Sequence, residues 1–108
     1  MFLKGTIKDT GIDITIKNNP DHILAPNDWN MVYKVKFNKI SVIEYRYWYL
    51  NLIKDRWEHR KSEFIELART GLDKDVKLKC FCANTSDRCH AHFASEFMNI
   101  LVNKINKV

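Results

Sequence analysis

A predicted helix followed closely by a predicted strand is the feature of this sequence that most constrains its fold. Residues 60 to 72 carry apolar side chains at helical spacing, and Gly71 is well placed as a C-terminal cap. After a short polar connector, residues 76 to 82 alternate between apolar and polar, which predicts a half-buried strand. A strand after a helix of this length typically crosses over to a parallel neighbour. We therefore predict an α/β fold with a small, mainly parallel sheet and packed helices, in a two-layer or a Rossmann-like three-layer arrangement.

Two further strands are expected near the N-terminus. Residues 2 to 8 and 12 to 17 alternate with a period of two, and Thr10 and Gly11 suit a turn between them. The 108 residues suffice for one domain, residues 1 to 108, with a core of its own.

The remaining helices are predicted from capping residues and apolar spacing. Asn27 or Asp28 can cap a short helix that ends near residues 37 and 38, and the last helix is expected from about residue 88 to residue 106. Residues 41 to 44 form a capping box before a helix at residues 42 to 57. Apolar side chains occur nearly all round that helix, so we expect it to be buried on more than one side.

Charge and cysteine usage narrow the classes of function. A net charge of +5 favours an anionic partner, but the basic residues are spread along the chain, so a duplex-binding arm is not indicated. No apolar run approaches the roughly 18 residues that a membrane span needs. The first residues lack the layout of a signal peptide. Three closely spaced cysteines do not make a disulfide framework, so we expect thiols in a reducing cytoplasm.

All three cysteines and two of the four histidines fall within residues 77 to 92, where the predicted strand leads through a polar loop into the last helix. Cys89 would lie in the first helical turn, where unpaired amides and the helix dipole stabilise a thiolate, with His90 beside it as a general base. Ligands of open α/β sheets bind beyond the carboxyl ends of the strands. We therefore predict a pocket that binds, and can turn over, a small anionic or nucleotide-like ligand. Its other predicted members are Asp13, Thr15, Cys82, Asn84, Thr85, Ser86 and Arg88.

Asp13 and Thr15 belong to this pocket only if their strand lies beside the strand at residues 76 to 82. The alternative for both is a solvated strand face, because polar residues on strands usually meet water. The alternative for Cys80 is a buried thiol that packs as a small hydrophobe.

A zinc-stabilised binding module without catalysis is the alternative function. Cys80, Cys82, Cys89 and His92 could supply four ligands to a tetrahedral zinc ion, the one cofactor that the sequence suggests. The single residue between Cys80 and Cys82 departs from the usual two-residue spacing of zinc knuckles. A third hypothesis is nucleic-acid binding through the aromatic residues 45 to 49, although core packing is the better interpretation of aromatics at helical spacing.

The order of these motifs resembles the small bacterial and phage proteins of domain of unknown function family 488. The resemblance spans roughly residues 12 to 102 and rests on Asp13-Ile14-Thr15, Ala25-Pro26 followed by Trp29, Tyr33-Lys34, Ile40-Ser41, Glu44-Tyr45, Leu78 to Cys82, and Cys89-His90. It implies an α/β domain with a small parallel sheet, and it carries over no catalytic role because the family has no established activity. Many relatives have Arg after the Cys–His pair where this chain has Ala91, so Arg88 would have to supply a cation there.

Overall fold

A parallel sheet of three strands and three helices make up the described part of the chain. The structure is a computed structural model, and it describes residues 1–81 and 89–106. The elements are β1 (Phe2–Thr6), β2 (Ile12–Asp13), α1 (Trp29–Lys36), α2 (Val42–Thr70), β3 (Val76–Cys80) and α3 (His90–Asn106). This arrangement confirms the predicted α/β fold with a small parallel sheet.

β3 is the central strand, and β1 and β2 pair with it in parallel from opposite sides. The parallel crossover predicted for the strand after the long helical segment is therefore confirmed. Residues 7 to 11 lead from β1 to β2, and Gly11 permits their close passage along β3. A Cβ atom at Gly11 would lie 2.3 Å from the carbonyl oxygen of Lys77, so any other residue would have to displace the backbone of the central strand.

The helices cover one face of the sheet. In β3, Val76, Leu78 and Cys80 are buried, whereas Lys77 is exposed and Lys79 is half-buried on the other face. α3 lies against β1 and β3, and α2 packs on α3. Of the two predicted arrangements, these contacts fit the two-layer one.

β2 ends at Asp13, earlier than the alternation of residues 12 to 17 predicts. The Asp13 carboxylate accepts hydrogen bonds from the Thr15 amide and from the Asn18 side chain, both at 2.9 Å, and the Asn19 side chain donates to the Asp13 carbonyl at 2.9 Å. These bonds turn the backbone away from the strand ladder. Partial burial would raise the pKa of Asp13, but the hydrogen bonds outweigh it and hold that pKa below its ordinary value.

Two polar side chains, those of Asn99 and Asp9, form hydrogen bonds with backbone groups at the two ends of β1. Asn99 of α3 accepts from the Phe2 amide at 2.7 Å and donates to the Phe2 carbonyl at 2.9 Å. The Asp9 carboxylate accepts from the Thr6 amide at 2.7 Å, and the Asp9 amide donates to the Thr6 carbonyl at 3.0 Å. The turn at Asp9 therefore ends β1 at Thr6 rather than at the predicted residue 8.

α2 is one element where the sequence predicts two helices. Arg60 lies near the predicted break and has non-helical angles, φ −135° and ψ 36°, so the chain bends there but the hydrogen-bonded helix resumes. Both predicted caps are confirmed. The Ser41 hydroxyl accepts from the Glu44 amide at 3.0 Å, and Gly71 is the C-terminal cap.

The first half of α2 is buried along one stripe only, so the prediction of burial on more than one side is wrong. Tyr45, Tyr49 and Ile53 are buried at a spacing of four residues, whereas Ile43 and Tyr47 are 80% and 74% exposed. The stripe forms because the neighbouring elements contact this helix from one side. Although α2 is long and rich in aromatic residues, no helix among residues 1–81 and 89–106 is long and apolar enough to cross a membrane.

The turn at residues 22 to 25, which precedes α1, is held to α2 by two side chains. Nη1 of Arg56 donates to three backbone carbonyl oxygens, at 3.2 Å from His22, 2.8 Å from Ile23 and 2.5 Å from Ala25. The Tyr49 hydroxyl donates to the Leu24 carbonyl at 2.6 Å, and burial raises the pKa of Tyr49 well above its ordinary value. α2 therefore determines where α1 begins.

His22 is expected to make stability depend on pH. Its Nδ1 accepts a hydrogen bond from the Leu24 amide at 3.0 Å, which requires that nitrogen to be unprotonated. Burial, reinforced by the charges of Arg60 and Arg56, holds the pKa of His22 below its ordinary value. The unfolded chain therefore binds this proton more tightly, and stability should fall as the pH drops from about 7 to about 5.

The variant His22→Asn tests this expectation, because the Asn Oδ1 atom can accept the same hydrogen bond but does not titrate. Urea denaturation of both proteins at several pH values should show a weaker pH dependence for the variant in this range. Parallel stability curves for the two proteins would contradict the assignment.

Candidate functional site

A cavity of about 590 Å³ lies where the end of β3 meets the start of α3. Its lining includes Cys80 at the end of β3, Cys89 and His90 at the start of α3, and Thr15 just after β2. The volume is within the range of about 300–1,000 Å³ that is typical of small-molecule sites. The cavity also lies at the carboxyl end of the sheet, where ligands of α/β proteins generally bind.

His90 is held in one orientation by a backbone hydrogen bond. Its Nε2 lies 2.7 Å from the carbonyl oxygen of Ile14, and its ring packs 5.7 Å from the ring of Tyr49. Only a protonated nitrogen can donate to a carbonyl, so the hydrogen of the neutral ring is on Nε2. Nδ1 is then the proton acceptor, and it lies 3.8 Å from the Cys89 sulfur.

Two polar groups lie against the Cys89 sulfur. The Ala91 amide in the first turn of α3 donates to its sulfur at 3.5 Å, and His90 Nδ1 lies on another side. An amide at the N-terminus of a helix stabilises a sulfur anion, and a neighbouring imidazole does so once it has taken the thiol proton. Cys89 is only 2% exposed and lines the cavity.

Cys80 adds a second thiol to the site. Its sulfur lies 2.8 Å from that of Cys89, and no disulfide joins these two residues. It also lies 3.7 Å from the carbonyl oxygen of Gly5, and the side chain is 1% exposed. The sequence predicts Cys80 to be a core residue or a zinc ligand, and the structure places it in contact with the predicted nucleophile.

Asp13 and Thr15 were predicted to join the pocket if their strand lies beside β3. It does, because β2 pairs directly with β3 through Asp13 and Lys79. Thr15 is 3% exposed and lines the cavity, and its hydroxyl accepts from the Asn18 amide at 3.0 Å. The carboxylate of Asp13 is instead engaged in the turn after β2, and Asp13 is not among the lining residues.

One wall of the cavity was not predicted as part of the site. α1 contributes Trp29, Tyr33 and Lys36, and Lys17 extends the wall from the turn after β2. The rings of Trp29 and Tyr33 stack with centroids 5.6 Å apart, and the two side chains are 44% and 49% exposed. Asp28 caps this helix as predicted, accepting from the Asn30 amide at 2.9 Å. The four-residue spacing of Trp29 and Tyr33 could have indicated that their rings lie on one face of α1.

Five predicted site residues fall in the range 82–88, outside the described part of the chain. They are Cys82, Asn84, Thr85, Ser86 and Arg88. Their roles as ligand contacts stay predictions.

The zinc hypothesis is also left as a prediction. Two of its four ligands, Cys80 and Cys89, are in contact, and Cys82 lies outside the described residues. The His92 side chain is 41% exposed and contacts Glu96, with Nε2 3.1 Å from Oε1. Within residues 1–81 and 89–106, no group of three or more His, Cys, Asp and Glu residues is arranged to hold a metal ion.

The aromatic residues of α2 serve mainly as core. Tyr45 and Tyr49 are 1% and 0% exposed, so their faces cannot stack on the bases of a bound nucleic acid. The preference for core packing at these two positions is confirmed.

Comparison with known proteins gives no match. No family model, no curated protein and no solved structure is significantly similar to this chain. The resemblance to domain of unknown function family 488 therefore stays a prediction from the sequence motifs.

Proposed function

We propose that this protein binds a small anionic, nucleotide-like ligand in the cavity, and that Cys89 and His90 act on it. The observation that supports this function best is the combination of three features around one cavity. These are a pair of lysines, a flat aromatic wall and a cysteine–histidine pair. A site with a few polar groups on a mainly apolar lining is typical of small-molecule pockets.

The planar group and the anionic group of the ligand would contact different parts of the cavity wall. Trp29 would offer the ring face on which a planar group such as a nucleobase can stack, because the Tyr33 ring is itself stacked between those of Trp29 and Phe37. Lys17 and Lys36 would attract the anionic group, because their ammonium groups are point charges well suited to phosphate. Lys17 already lies over the Phe81 ring, with Nζ 5.8 Å from its centroid.

Turnover would begin with a proton transfer between neighbours. His90 Nδ1 accepts the Cys89 thiol proton, and the Ala91 amide stabilises the resulting thiolate. The sulfur then forms a bond to an electrophilic atom of the ligand while the bond to the leaving group breaks. His90 returns its proton to that leaving group, and water later releases the product from Cys89.

The proposal places the protein in the cytoplasm. The site depends on a thiolate at Cys89 and has a second thiol at Cys80 in contact with it. Reducing conditions keep both residues in the form that the proposed chemistry needs.

Fluorescence titration with adenosine monophosphate tests ligand binding. Trp29 lines the cavity, so a stacked base should change its emission, and Trp29→Phe identifies that signal among the three tryptophans. We expect Lys17→Gln and Lys36→Gln each to weaken binding about fivefold to tenfold, the effect of losing one charge-assisted contact.

Lys34→Gln is the matched control, since Lys34 is on the same helix but does not line the cavity. Its affinity should equal that of the unaltered protein. Adenosine, which lacks the phosphate, should bind more weakly than its monophosphate. Equal affinities for the two compounds, or no binding of either, would overturn the proposed ligand class.

A further inference from the structure

The proposed turnover uses Cys89 but gives no role to Cys80, although the two thiols are in contact. Their sulfur atoms are 2.8 Å apart, although the residues are nine positions apart and belong to a strand and to the start of a helix. A disulfide bond is about 2.05 Å long, so bond formation needs only a small approach of the two atoms. Both sulfurs also line the cavity.

We propose that Cys80 and Cys89 form a reversible disulfide after hydrogen peroxide oxidises Cys89. Cys89 is the attacking residue because its sulfur is the one beside a proton acceptor, His90 Nδ1 at 3.8 Å, and a helix-terminal amide, that of Ala91 at 3.5 Å. Cys80 is the resolving residue because its sulfur touches that of Cys89.

The reaction has two balanced steps. The Cys89 thiolate attacks one oxygen of the peroxide, an S–O bond forms and the O–O bond breaks. The departing hydroxide takes the proton held by His90 and leaves as water, so Cys89 becomes a sulfenic acid. The Cys80 sulfur then attacks the Cys89 sulfur: an S–S bond forms, the S–O bond breaks, and the departing hydroxide takes the Cys80 thiol proton and leaves as a second water. The two thiols lose two electrons, and the peroxide is reduced to two molecules of water.

The burial of both sulfurs favours a small oxidant. Cys80 and Cys89 are 1% and 2% exposed, which hinders the in-line approach of a bulky disulfide reagent. Hydrogen peroxide is small enough to reach them through the cavity. The reaction requires no ligand in the cavity, so it can hold even if the proposed ligand class is wrong.

The disulfide would control the proposed function of the same site. Once Cys89 is bonded to Cys80 it has no thiolate, so it cannot attack a ligand. Reduction by a dithiol restores both sulfurs. The site would therefore be active in its reduced form and inactive in its oxidised form.

Intact-mass spectrometry of the folded protein after treatment with hydrogen peroxide tests this inference. We expect a loss of about 2 Da, the mass of two hydrogens, which dithiothreitol reverses. Cys82→Ser is the matched control and should lose the same mass, because the bond does not involve Cys82. Cys80→Ser should show no such loss and should instead gain one or more oxygen atoms at Cys89.

Circular dichroism of each variant shows whether it is folded. Oxidation in concentrated urea shows which disulfide forms in the unfolded chain. If Cys82→Ser abolishes the mass loss, the bond joins other residues and the inference is wrong. Equal products from Cys80→Ser and the unaltered protein would also refute it, and a different pairing in the urea-treated protein would show that the fold selects this pair. The adenosine monophosphate titration is independent of all these results.

Discussion

Replacement of Arg56 by alanine is expected to lower the free energy of unfolding by about 2–4 kcal/mol. One Nη1 atom of Arg56 donates to the carbonyl oxygens of His22, Ile23 and Ala25. Burial lowers the pKa of Arg56, but the guanidinium keeps its charge, so these are charge-assisted hydrogen bonds. The variant loses them and leaves the carbonyls of Ile23 and Ala25 buried without this donor. Urea denaturation followed by circular dichroism measures the change.

Arg46→Ala is the control from the same helix. Arg46 is 50% exposed and forms an ion pair with Glu96, with Nη2 3.1 Å from Oε2, which should contribute less than about 1 kcal/mol. Equal losses in the two variants would show that Arg56 acts only as a surface charge. The Arg56 variant should also bind adenosine monophosphate more weakly, because the turn that Arg56 holds leads into the α1 wall of the cavity.

The variant His90→Gln should slow the alkylation of Cys89 by iodoacetamide about 100-fold near neutral pH. The Gln amide can keep the donation to the Ile14 carbonyl that His90 makes at 2.7 Å, so the backbone contact need not be lost. It lacks the basic Nδ1 atom beside the sulfur, and thiol reactivity follows the fraction of thiolate. A general base typically contributes about 10²–10⁴-fold to a rate.

Peptide mass spectrometry can follow this residue separately, because trypsin cuts after Arg88 and releases Cys89 apart from the other two cysteines. His92→Gln is the control, since His92 is two positions further along α3 and pairs with Glu96. It should react at the rate of the unaltered protein. If both variants react at that rate, His90 does not activate Cys89.

Elements with strong local signals were predicted well from the sequence. The Ser41 and Asp28 side chains cap α2 and α1 as expected, because a cap requires only residues three or fewer positions away. The parallel pairing of β3 followed from its position after a long helical segment. The position of Cys89 and His90 beside a cavity at the end of β3 could be predicted for the same reason, because ligands of parallel α/β sheets bind beyond the carboxyl ends of the strands.

The remaining features depend on contacts that no local pattern reveals. β2 stops at Asp13 because the Asp13 carboxylate accepts from the Thr15 amide and the Asn19 side chain donates to the Asp13 carbonyl, which overrides the alternation of apolar residues. Trp29 and Lys36 line the same cavity as His90 although they are distant from it in sequence. They are brought there because Arg56 holds the turn before α1. The contact between Cys80 and Cys89 likewise results from the packing of a helix end against a strand end.

The hydrogen bonds of Asn99 and Asp9 occupy backbone groups at the edge of the sheet. An edge strand with exposed amides and carbonyls can recruit a strand from another molecule, the first step of edge-to-edge aggregation. At β1 the groups of Phe2 and Thr6 are already bonded within the chain, and β2, with two residues, is too short to template an incoming strand. We therefore expect these contacts, which have no part in the cavity, to disfavour growth of the sheet into a larger β-assembly.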